Sequence, residues 1–444
     1  MATRTRTPDG ALARLMAEAG VGNEKLARRV NAVGSELGLR LHYDKSTVSH
    51  WLRGSVPRAE ARPAVAEALS RLLGRPVTAA ELGWGAWPDA ERGVAAGVLE
   101  LSRADMDPSR RAVLGAGLYS ATLLVPSFPD LVGRTEAARA GRTVRIGDGD
   151  VATVRRMTDK VAEILDEIGA GHARPMAAAF LANTVGPWLE ASGPERVRRD
   201  MRAAAADLVY LTGWMAMYEE RQGLGQRYYV KALRLAGEAE DHVTYCRTLR
   251  GMSLQASHLG YGPRALELAD GAAEAAPAAG PRLVAFLRGQ QAHASAMVGD
   301  RHAALARLRE TETALARADD RRDAVGGYDE AAYHFHEAHV RWCLGDGEGS
   351  VKSLRRSNAV RAPEERQGRL HCLGVIAERQ FRMRHVEAAC ATWHAFLDEH
   401  LTVASARGDA HLRTLLGAVP AYRGLPAARD LEERARHVAA VKAA

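Results

Sequence analysis

LGYGPRAL at residues 259–266 marks a turn that recurs along the chain as VGDRHAAL at 298–305 and LGDGEGSV at 344–351. Around these turns, small residues repeat with offsets of +12, +4 and +3, in sets that begin at Gly213, Ser253, Ala292, Ala338 and Ala377. Self-similarity at a period of about 40 residues is typical of helical pairs that stack into a solenoid. Alternating β-branched runs are scarce. We therefore predict an all-α fold.

The spacing of these small residues resembles that of the tetratricopeptide (TPR) repeat over roughly residues 200–400. In that repeat, small residues let two helices cross closely, and an aromatic residue fills the gap to the next pair. The period here exceeds the usual ~34 residues, so a generic solenoid of helical pairs remains the alternative. Either arrangement implies a curved surface that suits a peptide, a partner protein or a second copy of the chain.

Three regions are expected along the 444 residues: an N-terminal domain at 1–84, a helical connecting region at 85–200 and a repeat domain at 201–444. The connecting region contains RRAVLGAGLYSATLLVPSF at 110–128, which superficially resembles an export signal. The apolar run is slightly short for a membrane span and contains polar residues. We interpret it as a buried helix rather than a membrane attachment.

The positive charge is concentrated at the N-terminal end. The chain has a net charge of +7, and residues 1–84 contain 13 Lys/Arg and 8 Asp/Glu, a local excess of +5. A basic excess favours a polyanionic partner, because binding to phosphates releases counterions. Four cysteines without a CxxC pair, and an N-terminus without an apolar core, favour a reducing cytoplasm as the location.

Two segments of this basic region have the pattern of short packed helices. In NEKLARRV (23–30) the apolar residues recur at helical spacing. In DKSTVSHWLRG (44–54), Asp44 is a natural N-cap, Gly54 is a natural stop, and Val48, Trp51 and Leu52 form an apolar stripe. We expect Trp51 to lie in the core, which leaves the polar residues of the second segment on its open faces.

The two segments together resemble helices two and three of the Cro/repressor-type (XRE) helix-turn-helix domain. That family has a short turn between these helices, whereas about ten residues separate Val33 from Asp44 here. Either a longer helix two or an inserted loop accounts for the difference. The resemblance implies that the N-terminal end of the second segment enters the major groove of DNA.

By this resemblance, the residues expected to contact base edges are Lys45, Ser46 and His50. The residues expected to contact phosphates, which fix register without reading sequence, are Asn23, Thr47, Ser49, Arg53 and Arg58.

The sequence carries no convincing catalytic signature: GxxxxGK[ST], HExxH and GxSxG are all absent. We therefore expect no enzymatic activity and no cofactor. His334, His336 and His339 form the one cluster that suggests a metal, but a zinc site needs three or four ligands in a defined geometry. A polar groove or helix face, able to contact a ligand or to respond to pH, is the interpretation that we favour.

Taken together, these features resemble actinobacterial, Streptomyces-like regulators that join an XRE domain to TPR-like repeats. The resemblance implies a cytoplasmic, sequence-specific transcription regulator that binds double-stranded DNA as a homodimer, with no membrane partner. Its repeat domain would dimerise and bind a peptide, small ligand or protein. The alternative function is an interaction scaffold whose N-terminal domain has no specific role in DNA binding.

Overall fold

The computed structural model describes residues 10–36, 39–58, 61–77, 81–84, 93–106, 145–278, 280–318 and 328–443. The predicted all-α fold is confirmed: these residues form helices and no strand, apart from one isolated bridge between Arg145 and Ser192. No helix in the described ranges is both long and apolar enough to cross a bilayer. The run at 110–128 lies outside these ranges.

The N-terminal helices share a hydrophobic core of their own, which extends from Leu12 to Trp84 and contains no residue of the later helices. Helix α1 ends where Gly20 takes a left-handed conformation with φ 61°, as expected of a glycine stop. Among its described residues, the helices of this unit are α1 (Ala11–Glu18), α2 (Asn23–Glu36), α3 (Lys45–Leu52) and α4 (Arg62–Leu73).

In the described ranges, four helices lie between this unit and the repeats, and a buried ion cluster attaches them to the repeats. Arg174 contacts both Asp105 and Glu219, and all three side chains are at least nine-tenths buried. The Tyr228 hydroxyl donates to Asp105 at 3.0 Å, so α5 is tied to the first repeat. These helices are α5 (Val94–Met106), α6 (Asp148–Ile168), α7 (Ala170–Phe180) and α8 (Gly186–Leu189), with a π-helical turn at Leu181–Val185.

Five antiparallel helical hairpins follow, and each packs on the next. The hairpins are α9 (Glu195–Tyr218) with α10 (Gln222–Glu238), α11 (His242–His258) with α12 (Gly262–Glu274), α13 (Pro281–Met297) with α14 (Arg301–Ala316), α15 (Glu330–Cys343) with α16 (Gly347–Val360), and α17 (Arg366–Arg382) with α18 (Val386–His400). Helices α19 (Ala406–Ala418) and α20 (Pro426–Ala443) close the C-terminal end, with a 3₁₀ turn at Val419–Tyr422 between them.

The +12 pairs of small residues are the points where the two helices of a hairpin cross. A Cβ on Gly213 would lie 3.1 Å from the Gly225 carbonyl oxygen, and a Cβ on Gly225 would lie 3.0 Å from that of Gly213. In the next hairpin the Ser253 hydroxyl donates to the Ala265 carbonyl at 2.6 Å. The small residues are therefore required by close helix packing, as the sequence spacing predicted.

The C-terminal end of the stack also contacts the connecting helices that precede it and the first hairpin. The amide of Gly171 donates to the Ala404 carbonyl at 3.0 Å, and the Ala404 amide donates to the Ile168 carbonyl at 2.9 Å. Helix α17 packs on α6, and the Tyr218 and His371 rings meet with centroids 6.5 Å apart. Consequently, the first helices of the hairpins enclose an inner surface rather than an open groove.

Candidate nucleic-acid interface

An open groove of about 650 Å³ separates the start of α2 from α3. Four basic side chains line it, namely Lys25, Arg28, Lys45 and Arg53, against one acidic side chain, Glu24. The other lining residues are Gly22, Asn23, Ser46 and Ser49. The groove therefore presents a net positive surface beside the predicted recognition helix.

Helix α3 is anchored on its inner side by two residues of the predicted stripe. Val48 is fully buried, and Trp51 is 7% exposed and meets the Tyr43 ring edge-on with centroids 5.0 Å apart. The prediction that Trp51 belongs to the core is therefore confirmed. The third residue of the stripe was assigned wrongly: Leu52 is 39% exposed, because it is the last residue of α3 and does not join the N-terminal hydrophobic core.

Asp44 fixes the N-terminal end of α3. Its carboxylate accepts from the Thr47 amide at 2.8 Å, from the Thr47 hydroxyl at 2.9 Å and from the Ser46 hydroxyl at 2.7 Å. These hydrogen bonds, with the Thr47 amide first, lower the pKa of Asp44 to about 2. The cap is the predicted one, and it commits the hydroxyl hydrogens of Ser46 and Thr47, so that both oxygens are left as acceptors.

The connection between α2 and α3 has both features that could explain its length, a longer second helix and an inserted loop. Helix α2 extends to Glu36, and residues 37–44 separate it from α3. The Asn31 side chain donates to the Tyr43 carbonyl at 2.8 Å and accepts from the Tyr43 amide at 2.9 Å. These two hydrogen bonds fix the end of the connection to α2. The position of α3 on α2 therefore does not depend on a short turn between the two helices.

Two of the predicted phosphate contacts also hold α2 and α3 together. The Asn23 amide donates to the Ser49 hydroxyl at 2.8 Å, and that hydroxyl donates to the Lys45 carbonyl at 3.0 Å. Both side chains are half-buried in the groove wall. Within the molecule, they set the separation between the N-terminus of α2 and the exposed face of α3.

The remaining predicted contact residues are distributed around α3. Lys45 is exposed in the groove and has no side-chain partner in the described ranges. Arg53 turns back along the helix, donating to the Ser49 carbonyl at 3.1 Å and lying 3.4 Å from Nδ1 of His50. If that nitrogen accepts, the Nε2–H of His50 is left as an exposed donor. Arg58 is exposed beyond the end of α3 and does not line the groove.

Lys25 and Arg28 are groove residues that the sequence reasoning did not select. They are three residues apart and lie on the exposed side of α2, while Leu26, Ala27 and Val30 are buried. The amphipathic pattern of α2 places the two cations on one outer face. This pattern is visible in the sequence and could have identified both residues as groove residues.

A family profile described as the SP15 N-terminal domain matches residues 12–85. The match covers the same stretch as the separate N-terminal core, Leu12 to Trp84. No curated protein matches the chain.

The histidine cluster does not form a metal site in the described part of the chain. His334 is buried between two carboxylates of its own helix, 3.0 Å from Glu337 and 3.3 Å from Glu330. His336 and His339 face the inner surface of the hairpins instead. The three side chains therefore do not converge on one point.

Proposed function

We propose that the protein is a sequence-specific, double-stranded-DNA-binding transcription regulator of the cytoplasm, with an XRE-type reading unit in its first 84 residues. The observation that carries the proposal is the groove beside α3: four exposed cations line it, and the helix is capped and anchored from behind. The width of a B-DNA major groove admits one α-helix, and its edges are phosphates that these cations match.

The groove residues divide into two roles. On this proposal Lys45, at the N-terminal end of α3 and without a side-chain partner inside the described chain, donates to a base edge, as does His50, which lies further along the same helix. Lys25 and Arg28 on α2 lie at the opposite wall and suit phosphates. On this proposal the TPR-like repeats dimerise the chain and bind an effector.

The experiment is a gel-shift comparison of the full-length wild type with Lys45→Ala and with the matched control Lys352→Ala, another exposed lysine but on α16. We expect Lys45→Ala to reduce discrimination between the preferred site and random DNA by about 1–3 kcal/mol, since one base contact is lost. Lys352→Ala should leave binding unchanged.

Replacing Lys25 or Arg28 with alanine should instead weaken binding to all sequences alike and reduce the slope of log K against log salt by about 1. A wild-type protein without any preference over random DNA at moderate salt would contradict the proposal and favour the scaffold function.

A further inference from the structure

The inner surface of the hairpins carries a group of buried basic and imidazole side chains that DNA binding does not use. We call it the inner Arg/His cluster, and it consists of Arg250 on α11, His293 on α13, His336 and His339 on α15, and Arg379 on α17. Four successive hairpins contribute to it, so it forms only when the hairpins are stacked.

Direct contacts join the members of the cluster. A guanidinium nitrogen of Arg250 lies 3.2 Å from Nε2 of His336, and one of Arg379 lies 3.1 Å from Nδ1 of His339. The rings of His293 and His339 have centroids 4.8 Å apart. His336 and His339 are one turn apart on α15, so the two arginines meet the same side of that helix.

Neither arginine has a carboxylate partner in the described part of the chain, although Arg250 is 6% exposed and Arg379 is 5% exposed. Arg250 lies over the Phe286 ring at 4.3 Å, and its Nε has no hydrogen-bond partner. Arg379 lies over the Trp342 ring at 4.9 Å and donates to the Ala338 carbonyl at 3.2 Å and to the Ser350 hydroxyl.

Burial lowers the pKa of Arg379 to about 10 and also lowers that of Arg250. The Glu378 carboxylate, next to Arg379 in sequence, lies 2.7 Å from His411 instead. A buried charge without a counter-charge is costly, and it is most simply explained by an anion that the protein binds.

Two imidazole nitrogens of the cluster are also without partners. Nδ1 of His293 and Nε2 of His339 are buried and make no hydrogen bond, and His293 as a whole is 7% exposed. Because Nδ1 of His339 accepts from Arg379, its Nε2 carries the hydrogen and is an unused donor. The unused donor of His339 and the charge of Arg379 thus belong to one group that has no anionic partner in the described part of the chain.

Aromatic side chains that are still partly open to solvent adjoin the cluster. Phe335, His339 and His371 keep partial contact with solvent, although helices α9, α15 and α17 surround them. The Phe335 ring lies 4.6 Å from that of His339 and 5.7 Å from that of His371, centroid to centroid. The inner Arg/His cluster therefore has an aromatic edge that solvent can still reach.

We propose that this partly open edge of the inner Arg/His cluster binds a small organic anion, in which a carboxylate or phosphate group accepts hydrogen bonds from Arg250, Arg379 and His339. The apolar or aromatic body of the same molecule packs on Phe335. Bidentate guanidinium contacts and a preformed imidazole donor are the usual recognition elements for such oxyanions. This proposal is independent of DNA binding, and its test uses no DNA.

The experiment measures the thermal unfolding of the full chain in sodium benzoate and in sodium phosphate, each against sodium chloride at equal ionic strength. We expect Tm to rise with a saturating dependence on benzoate if the site takes carboxylates, or on phosphate if it takes phosphates. In the wild type, the same titration should shift the imidazole ¹⁵N resonances of His293 and His339 with the same half-saturation.

Arg250→Gln and Arg379→Gln should each raise the half-saturating concentration by at least about tenfold, because a charge-assisted pair is lost. Arg309→Gln, at an exposed arginine of α14, is the matched control and should leave the half-saturating concentration unchanged. Circular dichroism establishes that each variant is folded. The proposal is overturned if neither benzoate nor phosphate raises Tm more than chloride does, or if the histidine resonances do not move. It is also overturned if both folded glutamine variants have the half-saturating concentration of the wild type.

Discussion

At the scale of single residues, His293 shows how strongly the interior of the hairpins disfavours added positive charge. Burial first, and then Arg379 and Arg250, lower the pKa of this imidazole to about 4. The His339 ring lies 4.8 Å from it, centroid to centroid, and the pKa of that ring is also lowered well below the ordinary value, mainly by burial. The folded protein therefore holds both rings neutral.

A pH dependence of stability follows from His293. Between pH 6.5 and about 4 the unfolded chain binds a proton at this residue that the folded chain does not, so acid favours unfolding. We expect the free energy of unfolding to fall as pH decreases through this window, by up to about 1.4 kcal/mol per pH unit from this one group.

Urea denaturation at pH 7.5, 6 and 5 measures this slope in the wild type and in His293→Gln, which should have a shallower one. His302→Gln, at an exposed histidine of α14, is the control and should keep the wild-type slope. Equal slopes in the two variants would show that His293 is not held neutral by the fold.

The predicted contact residues differ in how far the sequence alone could place them. The Asp44 cap and the burial of Val48 and Trp51 follow from local pattern, and the structure agrees. The bond between Asn23 and Ser49 spans 26 residues and depends on the packing of α2 on α3, which a helical pattern does not reveal.

At the scale of elements, the hairpin turns share one backbone conformation. Gly260, Gly299 and Gly345 take positive φ at the ends of α11, α13 and α15. Glu220 and Arg384 take the same left-handed conformation after α9 and α17, with φ 57° and 65°. The three glycine turns were the repeat signal in the sequence, whereas the other two turns lacked it, since glutamate and arginine do not indicate a positive φ.

Substitutions at these turns should change stability in opposite directions. Gly299→Ala should lower the free energy of unfolding by about 1 kcal/mol, because a Cβ is strained at φ 84° although no atom lies within 4 Å of it. Arg384→Gly should raise it by a similar amount, ~0.5–1 kcal/mol, since the strain at an exposed turn is removed.

Guanidinium denaturation of both variants checks this prediction, with Gly271→Ala as the control, at a helical glycine that has open space around it. Because that glycine lies within α12, its replacement should stabilise rather than destabilise. Destabilisation by Arg384→Gly would contradict the strain argument.

At the scale of the whole molecule, the stacking of neighbouring hairpins was predictable from the sequence. The contacts between distant hairpins across the inner surface were not. The +12 spacing identified the crossings within hairpins, such as Gly213 with Gly225. The contact of Arg250 with His336 joins residues 86 positions apart and depends on the cumulative rotation of the stack. A repeat pattern specifies each neighbour contact and leaves that rotation open, so the inner Arg/His cluster is visible only in the folded chain.

The central claim is that α3 presents a DNA-reading face, and selection of bound duplexes from a random-sequence pool by the full-length wild type tests it most directly. We predict enrichment of one defined duplex sequence. If the protein is a dimer, this sequence consists of two inverted half-sites about one helical turn apart. Recovery of a pool with no enriched sequence, under salt conditions in which the folded protein still retains DNA, would contradict it.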